Sequence, residues 1–206
     1  LSKGTANLHP VWAPDGNQFG YLSNKKSDFF SQTSLYVYNL NTKDDTLISD
    51  GVQSKAAWNE DGTKIFYSKK PKYPNKHGSK YFDLFQYDFK DKKESRLTHD
   101  SRGFSPVYIS DTTLAYIATF GGFQNIYLLN LNSKQITQMT DFPDKRIVHS
   151  LYYDNKEKRI IFDYTFNHFR DIGYYDINTG TLSKMISNPW DERSVVQNYE
   201  NLIYSD

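Results

Sequence analysis

Hydrophobic and polar positions along this chain alternate in short runs, and the runs themselves repeat every 43 to 50 residues. Pro10-Val11-Trp12-Ala13-Pro14-Asp15-Gly16 leads to Phe19-Gly20-Tyr21-Leu22-Ser23, and Ala57-Trp58-Asn59-Glu60-Asp61-Gly62 leads to Ile65-Phe66-Tyr67-Ser68 without a gap between the copies. A third copy reads Pro106-Val107-Tyr108-Ile109-Ser110-Asp111 then Leu114-Ala115-Tyr116-Ile117. A fourth reads Leu151-Tyr152-Tyr153-Asp154 then Ile160-Ile161-Phe162-Asp163, and a fifth begins at Val195-Val196 and stops at Leu202-Ile203-Tyr204. Self-similarity at this period marks one supersecondary unit used several times.

Each copy has a second half. Leu35-Tyr36-Val37-Tyr38-Asn39, Leu84-Phe85-Gln86-Tyr87-Asp88, Ile126-Tyr127-Leu128-Leu129-Asn130 and Ile172-Gly173-Tyr174-Tyr175-Asp176 occupy one repeat position. A polar turn follows each, then a short segment ending in Leu47-Ile48-Ser49, Leu97-Thr98, Met139-Thr140 or Ile186-Ser187. The unit is four short strands rich in aromatic and β-branched residues, separated by Gly, Asn and Asp turns. No stretch sustains the 3.6-residue period of a helix. The pattern predicts an all-β propeller of four-stranded antiparallel blades, a single domain over 1–206, with blades near 8–49, 54–98, 104–140 and 148–187 and a partial one at 193–206. Leu1-Ser2 reads as the last strand of a preceding blade, so the chain is expected to be a piece of a longer propeller of roughly six to eight blades.

Composition narrows the function classes. Seventeen tyrosines, fourteen phenylalanines and three tryptophans can fill the wedges between blades. A net charge of +1 gives no general reason to expect a nucleic-acid or membrane partner, and the absence of cysteine excludes disulfides and thiolate chemistry. No apolar run is long enough for a membrane span.

Pro10-Val11-Trp12-Ala13-Pro14-Asp15-Gly16 and Ala57-Trp58-Asn59-Glu60-Asp61-Gly62, with Asn125-Ile126-Tyr127-Leu128-Leu129-Asn130 and Arg96-Leu97-Thr98 for the later elements, resemble the WD40-like repeat of TolB-type β-propellers. That repeat reads P-x-W-S-P-D-G, an apolar strand, an I-Y-x-x-D-like strand, then L-T. The resemblance covers essentially the whole chain, and the third and fourth copies depart from it by losing the Asp-Gly turn. It implies a periplasmic or cell-envelope binding scaffold with no catalytic role, its secretory signal lying outside this chain. The same repeat also forms the accessory propeller of prolyl-oligopeptidase-type serine peptidases, and a similar propeller carries the metal of some polysaccharide lyases.

The candidate chemistry is sparse. Asp15-Gly16 and Asp61-Gly62 read as hairpin turns rather than metal ligands. Trp12, Trp58 and Tyr108 share a repeat position and read as blade-packing residues. No nucleophile elbow, phosphate loop or zinc motif occurs, so neither catalytic residues nor a cofactor or metal is assigned. His9, His77, His99, His149 and His168 fall in or beside the loops joining strands two to three, or strand four to the next blade, without ligand spacing.

The same loops hold the remaining signal. Lys69–Tyr81 contains five lysines, two tyrosines, two prolines and no acid. Phe29-Phe30, Phe120-Gly121-Gly122-Phe123, Phe166-Asn167-His168-Phe169-Arg170 and Trp190 add aromatic side chains. Aromatic rings and arginines dominate protein interfaces. The predicted partner-binding set is therefore Phe29, Phe30, Lys72, Tyr73, His77 and Arg102, with Phe120, Phe123, His168, Arg170 and Trp190. The expected partner is another protein rather than nucleic acid, because Asp141, Asp144, Asp191 and Glu192 interrupt the positive charge.

Overall fold

A computed structural model describes residues 5–188, 190–198 and 201–205, so the expectation placed on Leu1-Ser2 lies outside the described residues. All regular elements described are β-strands. Two compact units divide the chain, residues 1–111 and 112–206.

In the first unit, β1 (Asn7–Trp12), β2 (Gln18–Ser23), β3 (Ser34–Asn39) and β4 (Asp45–Asp50) form one antiparallel sheet in chain order. β5 (Ala57–Trp58), β6 (Lys64–Lys69), β7 (Asp83–Asp88) and β8 (Lys93–Arg96) form the next, and β9 (Gly103–Ser110) follows. The second unit holds β10 (Thr113–Phe120), β11 (Phe123–Asn130), β12 (Ile136–Gln138), β13 (Ile147–Asp154), β14 (Arg159–Phe166), β15 (Phe169–Asp176) and β16 (Leu182–Ile186), then β17 (Arg193–Asn198) paired with β18 (Asn201–Ser205). The sheets are β1–β4, β5–β8, β9–β12 and β13–β16, four antiparallel blades of the propeller type.

Burial follows position within the blade. Ile65–Ser68 of β6 and Ile160–Tyr164 of β14 are buried at every residue, which is why second strands read as unbroken apolar runs instead of alternating ones. The fourth strand of the second blade, Lys93-Glu94-Ser95-Arg96, is charged and exposed or half-buried, which blunts an outer edge against pairing with other chains. In the first unit, Leu22, Leu35, Val37, Val52, Trp58, Ile65 and Tyr67 pack as one apolar cluster drawn from both blades. A Cβ built on Gly20 would lie 3.0 Å from Ile65 Cδ1, so glycine there allows the close approach of β2 to β6. Ile161 and Ile172 anchor a cluster in the second unit with Tyr152, Tyr174, Met185 and Ile186.

The turns are built by recurring polar residues. Asp15 and Asp61 accept from the amides of Asn17 and Thr63 at 3.0 and 2.9 Å, with Gly16 and Gly62 at positive φ. The side-chain oxygen of Asn39, Asp88, Asn130 or Asp176 at the end of each third strand accepts from the two amides that lie two and three residues on. Four residues after each of these, Lys43, Lys92, Lys134 and Gly180 take φ of 60°, 49°, 62° and 70°.

The shared tryptophan position has different surroundings in the first two blades. Trp58 is 6% exposed, stacks on Phe89 at 5.1 Å and belongs to the interblade cluster, but Trp12 is 60% exposed and meets the edge of Phe19. Trp58 packs with Ala13, Leu22, Leu35 and Val37 of the preceding blade and donates to the Val11 carbonyl; no blade before Trp12 is among the described residues.

Candidate binding rim

Proline sets the loop pattern of the first unit. Pro71 and Pro74 have no amide to donate to a ladder, so β6 stops at Lys69 and β7 begins at Asp83, leaving a long excursion between them. The register Asn7↔Ser23↔Ser34↔Asp50 places the loop 24–33 and the connection 51–56 at one end of the first blade. An isolated bridge between Val52 and Lys69 joins that end to the start of the lysine loop.

Hydrogen bonds tie these segments into a continuous rim. Gln53 Nε2 donates to the Ser31 carbonyl at 3.1 Å, and Thr33 Oγ1 donates to the Val52 carbonyl at 2.5 Å. Ser54 and Ser68 hydroxyls meet at 2.7 Å, and the Ser105 amide donates to Ser54 at 3.2 Å. Asn75 organises the lysine loop: its Oδ1 accepts from the amides of His77 and Ser79, while its Nδ2 donates to Asp100 at 3.1 Å. Beneath this lies Asp83, fully buried, which accepts from Thr98 Oγ1, the Asp100 amide, the amide and hydroxyl of Ser101, and Arg96 at 2.6 Å.

The rim displays cations on rings. Lys70 Nζ sits 5.3 Å from the Phe82 centroid, Lys72 Nζ 5.3 Å from Tyr73, and the Arg102 guanidinium 4.2 Å from Tyr81. A hydrogen bond from Ser79 and then one from Arg102 pull the Tyr81 phenol below its ordinary value. Arg102 reaches that position from a left-handed backbone, φ 51°. Among the described residues, Lys70, Lys72, Lys76, Lys80 and Arg102 make no ion pair, whereas Lys69 is held by Glu94 and Arg96 by Asp83. Phe29, Phe30 and Tyr73 are 63%, 75% and 71% exposed. Lys55 and His9 lie at this end too; loss of hydration lowers both pKa values, and the Lys55 charge lowers His9 further.

Of the sequence-predicted set, Phe29, Phe30, Lys72, Tyr73, His77 and Arg102 thus lie on segments of the first unit's rim. The others lie in the second unit in a different setting. Phe120 pairs with Phe123 and Phe166 with Phe169, so these aromatic stretches are tight turns with two central residues, Gly121-Gly122 and Asn167-His168, all at positive φ. Phe120 and Trp190 are exposed, and Phe123 is half-buried. Arg170 is not a free anchor: its guanidinium is clamped on the fully buried Asp163, which also accepts from the Ser150 hydroxyl. His149 lies within β13, its Nε2 2.8 Å from Thr165 Oγ1, and burial followed by the Arg170 charge pushes its pKa down.

Sequence reasoning missed Arg146, whose guanidinium is paired with Asp144 and packed among Phe142, Tyr164 and Phe166 at 4.4 to 5.2 Å. The signal was Asp144 two residues before it. Among the described residues no group of three His, Asp or Glu is placed to hold a metal ion, and no helix is long and apolar enough to cross a membrane.

No protein-family model matches the chain. The Tol-Pal system protein TolB of Ruthia magnifica subsp. Calyptogena magnifica is 32% identical over 95 residues, which is 45% of this chain and 20% of that protein. The crystal structure of TolB from Acinetobacter baumannii superposes with a TM-score of 0.72 at 19% identity, over 93% of this chain and 46% of that one. An oligogalacturonate lyase in complex with manganese gives a TM-score of 0.71 at 13% identity, over 97% of this chain and 58% of that one. The chain therefore spans less than half of either TolB protein. Its repeat, its four-stranded blades and these likenesses together identify a TolB-like β-propeller fold.

Proposed function

We propose that this chain is part of a non-catalytic, envelope-associated binding scaffold of the TolB type, and that the rim of its first unit holds another protein. The observation that carries this reading is the combination of exposed Phe29, Phe30 and Tyr73 with unpaired cations on segments locked together by Gln53, Thr33, Ser54 and Asn75. Large apolar rings in water are a standing cost to a folded protein, and exposed rings among positive charges on linked segments suit a docking surface. Loops pinned by side-chain hydrogen bonds lose little entropy when a partner binds, so more of the contact energy appears as affinity. The partial identity to a Tol-Pal system protein supports the class and the envelope location.

The test is a photo-crosslinking amino acid placed at Phe30 or Tyr73 in the full-length protein, with Lys43 and Lys92 as controls on the opposite turns. In envelope extract of the source cells, a discrete adduct from the first pair and none from the second is the expected result. Equal labelling at both ends, or none at either, contradicts the reading.

A further inference from the structure

Charge and ring geometry on this rim say more about what it holds. We propose that the rim binds an acidic, extended polypeptide segment that also carries apolar side chains; this rests on the scaffold reading above and names the chemistry of its partner.

Two features select that chemistry. The first is electrostatic. Lys70, Lys72, Lys76, Lys80 and Arg102 project from one loop and its neighbouring connection, with no acid in residues 69–82. Lys26 and Lys55 extend the positive charge towards the first blade. The acids at this end are Asp28, Asp50, whose Oδ1 accepts from Ser34, Asp83, which is buried and paired with Arg96, and Asp100, which is engaged by Asn75 and Arg96. The near-neutral charge of the whole chain therefore hides a local positive field, and such a field recruits carboxylates by steering as well as by contact.

The second feature is how the rings are used. A sugar polymer binds aromatic platforms through a free ring face. Here the faces of Tyr73, Tyr81 and Phe82 carry Lys72, Arg102 and Lys70, so these rings position cations instead of offering a flat platform. Among the described residues Phe29 and Phe30 carry no such cation, and their exposed apolar surface calls for apolar side chains, which a polyuronate lacks and a peptide supplies. The loop's backbone is already engaged internally at Asn75, Gly78 and Ser79, so recognition falls to side chains. A peptide with carboxylates for the lysine loop and Leu or Phe for the phenylalanine loop satisfies both halves.

The experiment uses the full-length protein and three fluorescein-labelled twelve-residue probes read by anisotropy: a Glu/Leu/Phe peptide, its Gln-for-Glu analogue, and a Lys-for-Glu analogue. An unlabelled oligogalacturonate serves as competitor. The expected result is binding of the Glu peptide alone, weakening steeply with salt, and falling on the order of tenfold in the double variant K72E/K76E. A Phe30→Ser variant loses about tenfold with little change in salt dependence. Circular dichroism of each variant separates loss of binding from loss of fold. Equal binding of the Glu and Gln peptides, or displacement of the peptide by oligogalacturonate at lower concentration than by unlabelled peptide, overturns the acidic-peptide inference. Rim-specific crosslinks from Phe30 or Tyr73 would in that event leave the scaffold reading standing, so the two fail separately.

Discussion

The indole nitrogen of Trp58 donates to the carbonyl of Val11 at 3.2 Å, joining the first strand of one blade to the first strand of the blade before it. Trp58 is buried and Trp12, its repeat equivalent, is exposed. Trp58→Ala should therefore cost about 3–5 kcal/mol through the cavity it leaves. Trp58→Phe should cost less, chiefly the lost bond and part of the ring. Urea unfolding midpoints of the two variants measure the order.

Asp83 is the most heavily hydrogen-bonded side chain of the rim's foundation. Asp83→Ala leaves the Thr98 and Ser101 hydroxyls and the Asp100 and Ser101 amides without their acceptor, and strands the Arg96 charge. The predicted loss is about 3–5 kcal/mol. Asn125 fills the same position in the third blade and accepts from Thr140 Oγ1 and the Phe142 amide with no charge involved, so Asn125→Ala should cost about 1–3 kcal/mol. Calorimetric melting of both variants checks the ranking.

Lys43, Lys92 and Lys134 hold left-handed backbone where the fourth blade has Gly180. A left-handed conformation costs an L-residue about 1–2 kcal/mol, partly offset by the greater entropy that glycine loses on folding. Lys92→Gly should raise stability by about 0.5–1 kcal/mol, seen as a higher melting temperature, and Gly180→Lys should lower it by a similar amount.

Tyr67 Oη donates to Glu94 at 2.6 Å, beside Lys69 and Ser49. Burial, then the bond to Glu94, pushes the phenol above its ordinary value, so the stability it contributes is complete below about pH 10 and is lost as pH rises through the higher folded value. Tyr21, raised by burial and then by Asp45, acts in the same sense. Glu94 works at the other end of the scale. Burial pushes its carboxyl up, but bonds from Lys69, Tyr67 and Ser49 outweigh that and leave it below the usual range. Its contribution is present above the ordinary carboxylate value and is lost as pH falls through the depressed one. Denaturant midpoints from pH 9 to 11.5 should fall, by up to about 1.4 kcal/mol per pH unit for each such phenol, and Tyr67→Phe should fall less steeply from a lower start.

The blades were legible because their determinants are local. Apolar runs, Asp-Gly turns and the Asn or Asp closing each third strand act within a few residues, so sequence suffices to place them. Three things were not. The burial of Trp58 depends on a neighbouring blade and not on its own flanks. Phe120–Phe123 read as an aromatic loop, yet its glycines close a turn with two central residues because β10 and β11 pair to their ends; in the second blade Pro71 and Pro74 prevent the same closure. Arg170 read as a surface anchor beside His168. A count across the hairpin shows that Arg170, opposite Thr165, sits diagonal to Asp163 on the same side of the sheet, which is how the buried pair forms. The loops that carry the proposed function were visible as insertions. Their union into one rim depends on long-range bonds such as Gln53 to Ser31 and Asn75 to Asp100, which composition does not encode.

The most direct test of the rim as a charge-selective docking surface is a charge-swap equilibrium measurement at low ionic strength. The full-length protein with Lys70, Lys72 and Lys76 all changed to Glu is titrated with the Glu peptide and with its Lys-for-Glu counterpart. Loss of the acidic peptide together with gain of the basic one is the predicted result, because the same apolar contacts at Phe29 and Phe30 remain while the field is inverted. Unchanged affinity for the acidic peptide, or no gain for the basic one in a variant whose circular dichroism is intact, would contradict the account.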